Sequence, residues 1–309
     1  MGDYPRTQVE FETWFSTEEA CRAYLVQLRW LDGFRCPKCG GAKAWPVRRL
    51  LLECAACGRQ TSVTAGTVFQ DTRTSLSVWF RAMWTVTSQK TGASALTLQH
   101  VLGLGSYETA WTWLHKLRRC MIRIGRESLS GRVEVDETYI GGEEQGRPGR
   151  GIEEKALVVI AAEEDGNGIG RIRLKHIRNA FGASLIPFVV ETVATGSVVH
   201  TDGWPGCSGL SAKGFKHEVT IIAPEPQRAG ALLPRVHRVA SLLKRWLLGT
   251  HQGAVSNKHL QRYLDEYTFR FNRRRSRHPG KIFFRLAQQV VATERTTYRA
   301  LVDSQKSPQ

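Results

Sequence analysis

The chain has 309 residues, a formal net charge of +16 and a pI near 9.9, which allows two or three small domains with sizeable cores and points to a polyanionic partner. Its longest apolar run, Ala156–Ala162, is far too short to span a bilayer, and its acidic start (Asp3, Glu10, Glu12) has no secretory apolar stretch, so no membrane role is expected and a cytoplasmic place is. Seven cysteines, four of them in two Cys-x-x-Cys pairs, favour a reducing compartment and metal binding over disulfides.

The first element expected is a helix over about Ser16–Trp30, with Ser16 and Glu19 as a capping box and Cys21, Tyr24, Leu25 and Leu28 as its apolar stripe. Cys36-Pro-Lys-Cys39-Gly and Cys54-Ala-Ala-Cys57-Gly follow. Each is a knuckle that aims two thiolates at one point, and glycine accepts the backbone angles of the turn. Four thiolates close a tetrahedral shell, so a structural zinc is expected, in a ribbon that could display Lys43, Arg48, Arg49 and Arg59 to DNA.

Ser75–Ser88 carries Leu76, Trp79, Phe80, Met83 and Trp84 at helical spacing. Gly92–Leu102, a Gly103-Leu104-Gly105 break and Tyr107–Ile122 then give helix, turn, helix. This pattern fits both a helix-turn-helix and an ordinary helical hairpin. On the first alternative Lys116, Arg118 and Arg119 belong to the recognition helix.

From Arg132 the periodicity becomes that of strands. Arg132–Ile140, Leu157–Ala162 and Arg171–Ile177 form a predicted meander, with a Gly/Arg-rich loop over 141–155. A helix at about Ala180–Val193, a strand ending at Asp202, a weaker strand at Glu218–Ile222 and a helix from about Leu233 to Leu248 come next. Helices are also expected at Lys258–Arg274 and Lys281–Thr293. Basic residues crowd this half: twelve Lys/Arg lie between Arg235 and Lys281, Arg245, Arg273, Arg274 and Arg275 among them, against Asp265 and Glu266 alone. Such blocks neutralise phosphates.

Alternation in the first of these strands sends Val133 and Val135 to one face and Glu134, Asp136 and Thr138 to the other. A carboxylate facing a buried layer needs a cation or hydrogen bonds. Asp202 follows Val198 and Val199 at a strand end, where ligands gather in open α/β sheets; read alone, it is better taken as a turn aspartate, since His-Thr-Asp-Gly suits a turn. His237 and Lys244, seven residues apart on one helix, differ by roughly 20° around the axis and project together.

Val133-Glu-Val-Asp136-Glu-Thr-Tyr-Ile-Gly-Gly142, Gly149-Arg150-Gly151, His200-Thr-Asp202-Gly203, Leu243 to His251 and Lys258 to Arg274 together resemble the ISXO-like insertion-sequence transposases. The resemblance covers about Ser16 to Ala287. It implies the DDE superfamily: a ribonuclease-H-like α/β catalytic core with an N-terminal zinc ribbon, cutting double-stranded DNA at element ends and joining those ends to a target. The implied division is an N-terminal helix (1–30), the zinc ribbon (31–65), a helix-turn-helix-like segment (66–128), the catalytic core (129–250) and a basic helical region (251–309). The fold pattern is met except that Gly203–Lys216 leaves room for only a short helix, or none.

Carried over by residue, the two motif aspartates fall on Asp136 and Asp202, the third position on His237 and the helical lysine on Lys244. Implied with them are two Mg²⁺ or Mn²⁺ ions, DNA contacts by the basic residues named above, and assembly at least as a dimer on nucleoid DNA. Histidine in place of an acidic third residue supplies less charge; Mg²⁺ prefers oxygen, while Mn²⁺ tolerates nitrogen better. Three roles stay open for it: second-metal ligand, aligner of the nucleophile, or mark of a weakened copy. The rivals are a DNA-binding regulator, a nuclease that cuts without joining, and a defective or domesticated transposase.

Overall fold

A computed structural model of the chain describes residues 3–123, 125–141, 155–220, 232–253 and 255–303. These form two compact units, Met1–Arg123 with Ser276–Gln309, and Ile124–Arg275. The stretch expected as one basic C-terminal region is thus divided between the two.

The first unit opens with two helices, α1 (Gln8–Trp14) and α2 (Glu18–Arg29). Thr17, not Ser16, caps α2: its hydroxyl accepts the Ala20 N–H at 3.2 Å, satisfying a donor the first turn leaves orphaned. Three short antiparallel strands, β1 (Ala44–Val47), β2 (Leu51–Cys54) and β3 (Gln60–Thr61), make the ribbon. Helices α3 (Leu76–Ser88), α4 (Ala95–Leu102) and α5 (Tyr107–Cys120) follow. Gly103 closes α4 in the left-handed conformation, φ +62°, and Ser106 caps α5 by accepting the Thr109 N–H at 3.1 Å. The helix, turn, helix order stands as expected from the sequence.

The second unit is a mixed five-stranded sheet in the order β6-β5-β4-β7-β8. Its strands are β4 (Arg132–Ile140), β5 (Ala156–Asp165), β6 (Gly168–Ile177), β7 (Val198–Thr201) and β8 (Lys216–Val219). β4, β5 and β6 are antiparallel neighbours; β4, β7 and β8 run parallel. This is the ribonuclease-H-like arrangement. Helix α6 (Gly182–Thr192) joins β6 to β7, while only 3₁₀ turns at Pro205–Cys207 and Ser211–Lys213 lie between β7 and β8. The loop motif at 149–151 and the end of the weaker strand, 221–222, lie outside the described residues.

Alternation divides the core into two layers. Val133, Val135, Val159 and Ala161 pack with Leu185, Phe188 and Val189 of α6. Val158, Ile160, Ala162 and Leu174 face the other way, onto helices α7 (Pro234–His251) and α8 (Leu260–Phe271). The remaining helices, α9 (Pro279–Val290) and α10 (Tyr298–Asp303), belong to the first unit. Phe283 of α9 packs against the rings of Phe11, Phe15, Tyr24, Phe80 and Trp84. No helix among the described residues is long and apolar enough to cross a membrane.

Candidate functional site

Two places gather ligand-type side chains. In the ribbon the two knuckles face each other. The Cys36 N–H donates to the Gly41 carbonyl at 2.9 Å, and the Gly40 and Gly58 N–H groups donate to the Cys36 and Cys54 carbonyls. The sulfurs pair at 3.6 Å, Cys36 with Cys57 and Cys39 with Cys54, and all four lie within 4.8 Å of one another. A Cβ on Gly41 would come within 3.1 Å of the Cys54 sulfur, so glycine leaves the sulfurs their room. The donor set and spacing fit a closed, structural zinc.

The second place is built by sheet topology. β4 and β7 pair in parallel as far as Glu134 opposite His200, and Asp136 and Asp202 each lie two residues further along, close enough for the Asp202 charge to act on Asp136. The β7–β8 edge is tied by side chains, His200 to Thr220 at 2.6 Å and Thr201 to His217 at 3.0 Å. Asp202 accepts the Trp204 N–H at 3.0 Å, so it does form the turn that its own sequence suggests. Asp136 accepts the Glu137 N–H at 2.8 Å with one oxygen; the other lies 3.7 Å from His237 Nε2. That distance is too long for a hydrogen bond. His237 Nε2 is buried and has no hydrogen-bond partner, which is costly for a polar atom unless something completes it.

The electrostatics agree. Burial, then the neighbouring charges of Asp202 and Glu134, raises the Asp136 carboxyl above its ordinary value, with the Glu137 N–H and His237 only partly offsetting them. Burial and then Asp136 and Asp202 push Glu137 up to about 7. Carboxyls that resist ionisation together are what a divalent cation relieves. Two carboxylates and an imidazole whose Nε2 makes no hydrogen bond are donors of a kind that suits such an ion, although, unlike the cysteines, the trio is not drawn within 4.8 Å as a set.

Glu134 has a use that its place on the strand does not reveal. It is 2% exposed, and one oxygen accepts the Arg235 and Val236 N–H groups at 2.7 and 3.0 Å. Its other oxygen pairs with the Arg235 guanidinium at 2.9 Å, which also holds Glu164 at 2.7 Å. The strand that carries Asp136 thus grips the first turn of the helix that carries His237. Lys244, two turns along, is exposed, as is Arg245.

The basic residues expected at DNA fare unevenly. Arg118 is a correction: it is 1% exposed and turned inward beside His115, because it lies one turn past Leu114 on the apolar face of α5. Lys116 is half-buried with its ammonium 6.0 Å from the Trp79 ring, and Arg119 is half-buried too. Arg273 and Arg274 stack on Phe269 and Phe271, each at 3.9 Å. Arg274 also donates to the Gly170 carbonyl, and Arg275 pairs with Asp165, so these arginines fasten the end of α8 to the β5–β6 hairpin.

Compared with known proteins, residues 128–272 match the model of an ISXO2-like transposase domain and residues 16–60 that of a transposase zinc-ribbon domain. An uncharacterized protein in transposable element ISH50 of Halobacterium salinarum is 27% identical over 289 residues, covering 86% of this chain and 94% of the relative. Among solved structures, a chain of the simian T-cell lymphotropic virus intasome in complex with PP2A regulatory subunit B56 gamma has 14% identity and a TM-score of 0.29; 54% of this chain covers 63% of that one, less than two thirds of its length. A chain of a pre-cleavage Mos1 transpososome has 13% identity and a TM-score of 0.25, over 71% of this chain and 79% of its own. Scores this low leave the family matches and the site's own geometry to bear on function.

Proposed function

We propose that the chain is an ISXO2-like insertion-sequence transposase, as the matches over residues 128–272 and 16–60 indicate, and that it cuts double-stranded DNA at the ends of its element and joins them to a target. The observation that supports a working site is the buried Nε2 of His237, which makes no hydrogen bond and faces Asp136 at 3.7 Å, with Asp202 just past the end of the adjoining strand. Asp136 and Asp202 would hold divalent ions, Mg²⁺ or Mn²⁺, with His237 as the further ligand; such ions neutralise charge on attacking and leaving oxygens.

The chain's own part is to place the DNA. Glu134 fixes the start of α7 and with it the position of His237. Lys244, exposed on the same helix, would hold a phosphate beside the scissile bond as a point charge. Water attacks that phosphorus and the 3′-oxygen leaves as a hydroxyl; the hydroxyl then attacks a target phosphodiester and displaces a target 3′-hydroxyl. Arg245, Lys116, Arg119 and Arg273 to Arg275 would add backbone contacts through whatever surface their intramolecular pairings leave open. Bringing two element ends together calls for at least a dimer, working on nucleoid DNA in the cytoplasm.

The test is Asp136→Asn in the full chain, on DNA carrying the element end. Metal-dependent nicking should fall by at least about a hundredfold, on the scale of losing one preorganised charge contact, while DNA binding persists. Undiminished nicking would remove Asp136 from the reaction. His237→Glu should keep or raise activity with Mg²⁺ if position 237 binds metal.

A further inference from the structure

Trp204 stands two residues beyond Asp202, at the start of the loop that leaves β7, and is exposed where the loop's other large aromatic, Phe215, is buried. Its polar atom is already used: the indole N–H donates to the Ala180 carbonyl at 2.7 Å, and its backbone N–H is held by Asp202. Gly206 braces the same edge, since a Cβ there would lie 3.0 Å from Trp204 Cδ1 and Nε1 and 2.4 Å from the Ala180 oxygen. Yet Trp204 remains 45% exposed. An indole pinned along one edge, with so much apolar area in water, is a rigid surface waiting for a flat partner.

Its surroundings say which partner. β6 and β7 both run parallel to β4, so the loops after them, with Ala180 and Trp204, leave the same edge of the sheet. Phe181, next to Ala180, is 65% exposed. The 3₁₀ turn after Trp204 buries Cys207; that burial, and then the charges of Glu137, Asp202 and Asp136, push its thiol up to about 12. Trp204 is therefore on the rim of the acidic site, and DNA placed there would run past it. Paired bases have their faces covered by stacking, so an indole can engage only a base that has left the stack.

We propose that Trp204 is a stacking platform for an unpaired nucleobase next to the phosphate being cut, whichever base it is. The proposal rests on the transposase reading above. It needs the ring face, whereas a purely structural tryptophan needs only its N–H to Ala180.

The experiment uses the full chain and two oligonucleotide duplexes carrying 2-aminopurine, one in a single-stranded overhang and one fully paired. The parent should quench the overhang probe. Trp204→Leu should bind the overhang DNA about 5- to 150-fold more weakly, the range expected for one lost base–aromatic stack, and should lose the quench, with paired-duplex affinity unchanged. Trp204→Phe, which has a ring but no N–H, should recover most of both. Equal loss on the paired duplex, or a Phe variant as weak as the Leu variant, would make Trp204 an anchor and overturn the proposal. Overhang binding unchanged in the Leu variant would overturn the subsite alone, provided the parent nicks DNA; a parent that neither binds nor nicks overturns both readings.

Discussion

The ribbon and the acidic corner of the second unit bring their side chains together by opposite means. In the ribbon, two short knuckles preset both pairs of thiolates, and a single hairpin brings the pairs together at 3.6 Å. In the second unit, Asp136, Asp202 and His237 come from a strand, a strand end and a helix, and their approach depends on the β4–β7 register and on Glu134 gripping α7. A ligand set made locally is part of what folds its domain. A set made by topology leaves a site whose filling the fold does not require.

That contrast can be tested at four levels. Cys54→Ser should have the largest effect: zinc in such small sites contributes about 10–16 kcal/mol of apparent binding energy, so residues 31–65 should lose their metal and become protease-sensitive. The second unit should still melt as before; a joint collapse would break the distinction. Glu134→Gln should cost about 3–5 kcal/mol, because it removes one partner of a buried pair and leaves the other. Urea unfolding of the second unit measures this, and nicking should fall with it even where the fold is retained. Lys244→Ala should lower strand cleavage by about tenfold, the loss of one charged hydrogen bond, with little change in melting or overall DNA affinity. Equal loss of cleavage and binding would deny it a role at the scissile phosphate.

The smallest effect concerns acid. Burial works against the charged form of Glu163, but Arg171, with the N–H groups of Ser130 and Arg171, outweighs it and holds the carboxyl down to about 2. A carboxyl whose pKa is depressed by folding contributes above its unfolded value near 4.5 and loses that contribution as pH falls towards 2. Thermal melts of Glu163→Gln should therefore show less of the parent's decline in stability between those limits.

Much of this was legible in the sequence because period and burial coincide. The alternation of Val133, Val135 and Asp136 gave the two faces of β4 correctly, since each face meets a separate layer. The cysteine knuckles were legible because their geometry is local. Arg118 was misread: the basic run at the end of α5 looks like a surface, but its angular position is that of Leu114, and tertiary packing overrode charge. The roles of Glu134 and Trp204 were beyond reach. Each depends on a partner far away in the chain, the first turn of α7 for one and the Ala180 carbonyl for the other.

The discontinuous first unit has a consequence for synthesis. Residues 276–303 supply α9, whose Phe283 completes the ring cluster around Phe11, Phe15 and Phe80, and whose Gly280 packs so closely on the Pro5 carbonyl that no side chain fits. On the ribosome the N-terminal helices emerge first, yet they must wait with greasy surfaces uncovered until everything through α9 has been translated. A nascent chain stopped at residue 275 would carry a complete second unit and an unfinished first one.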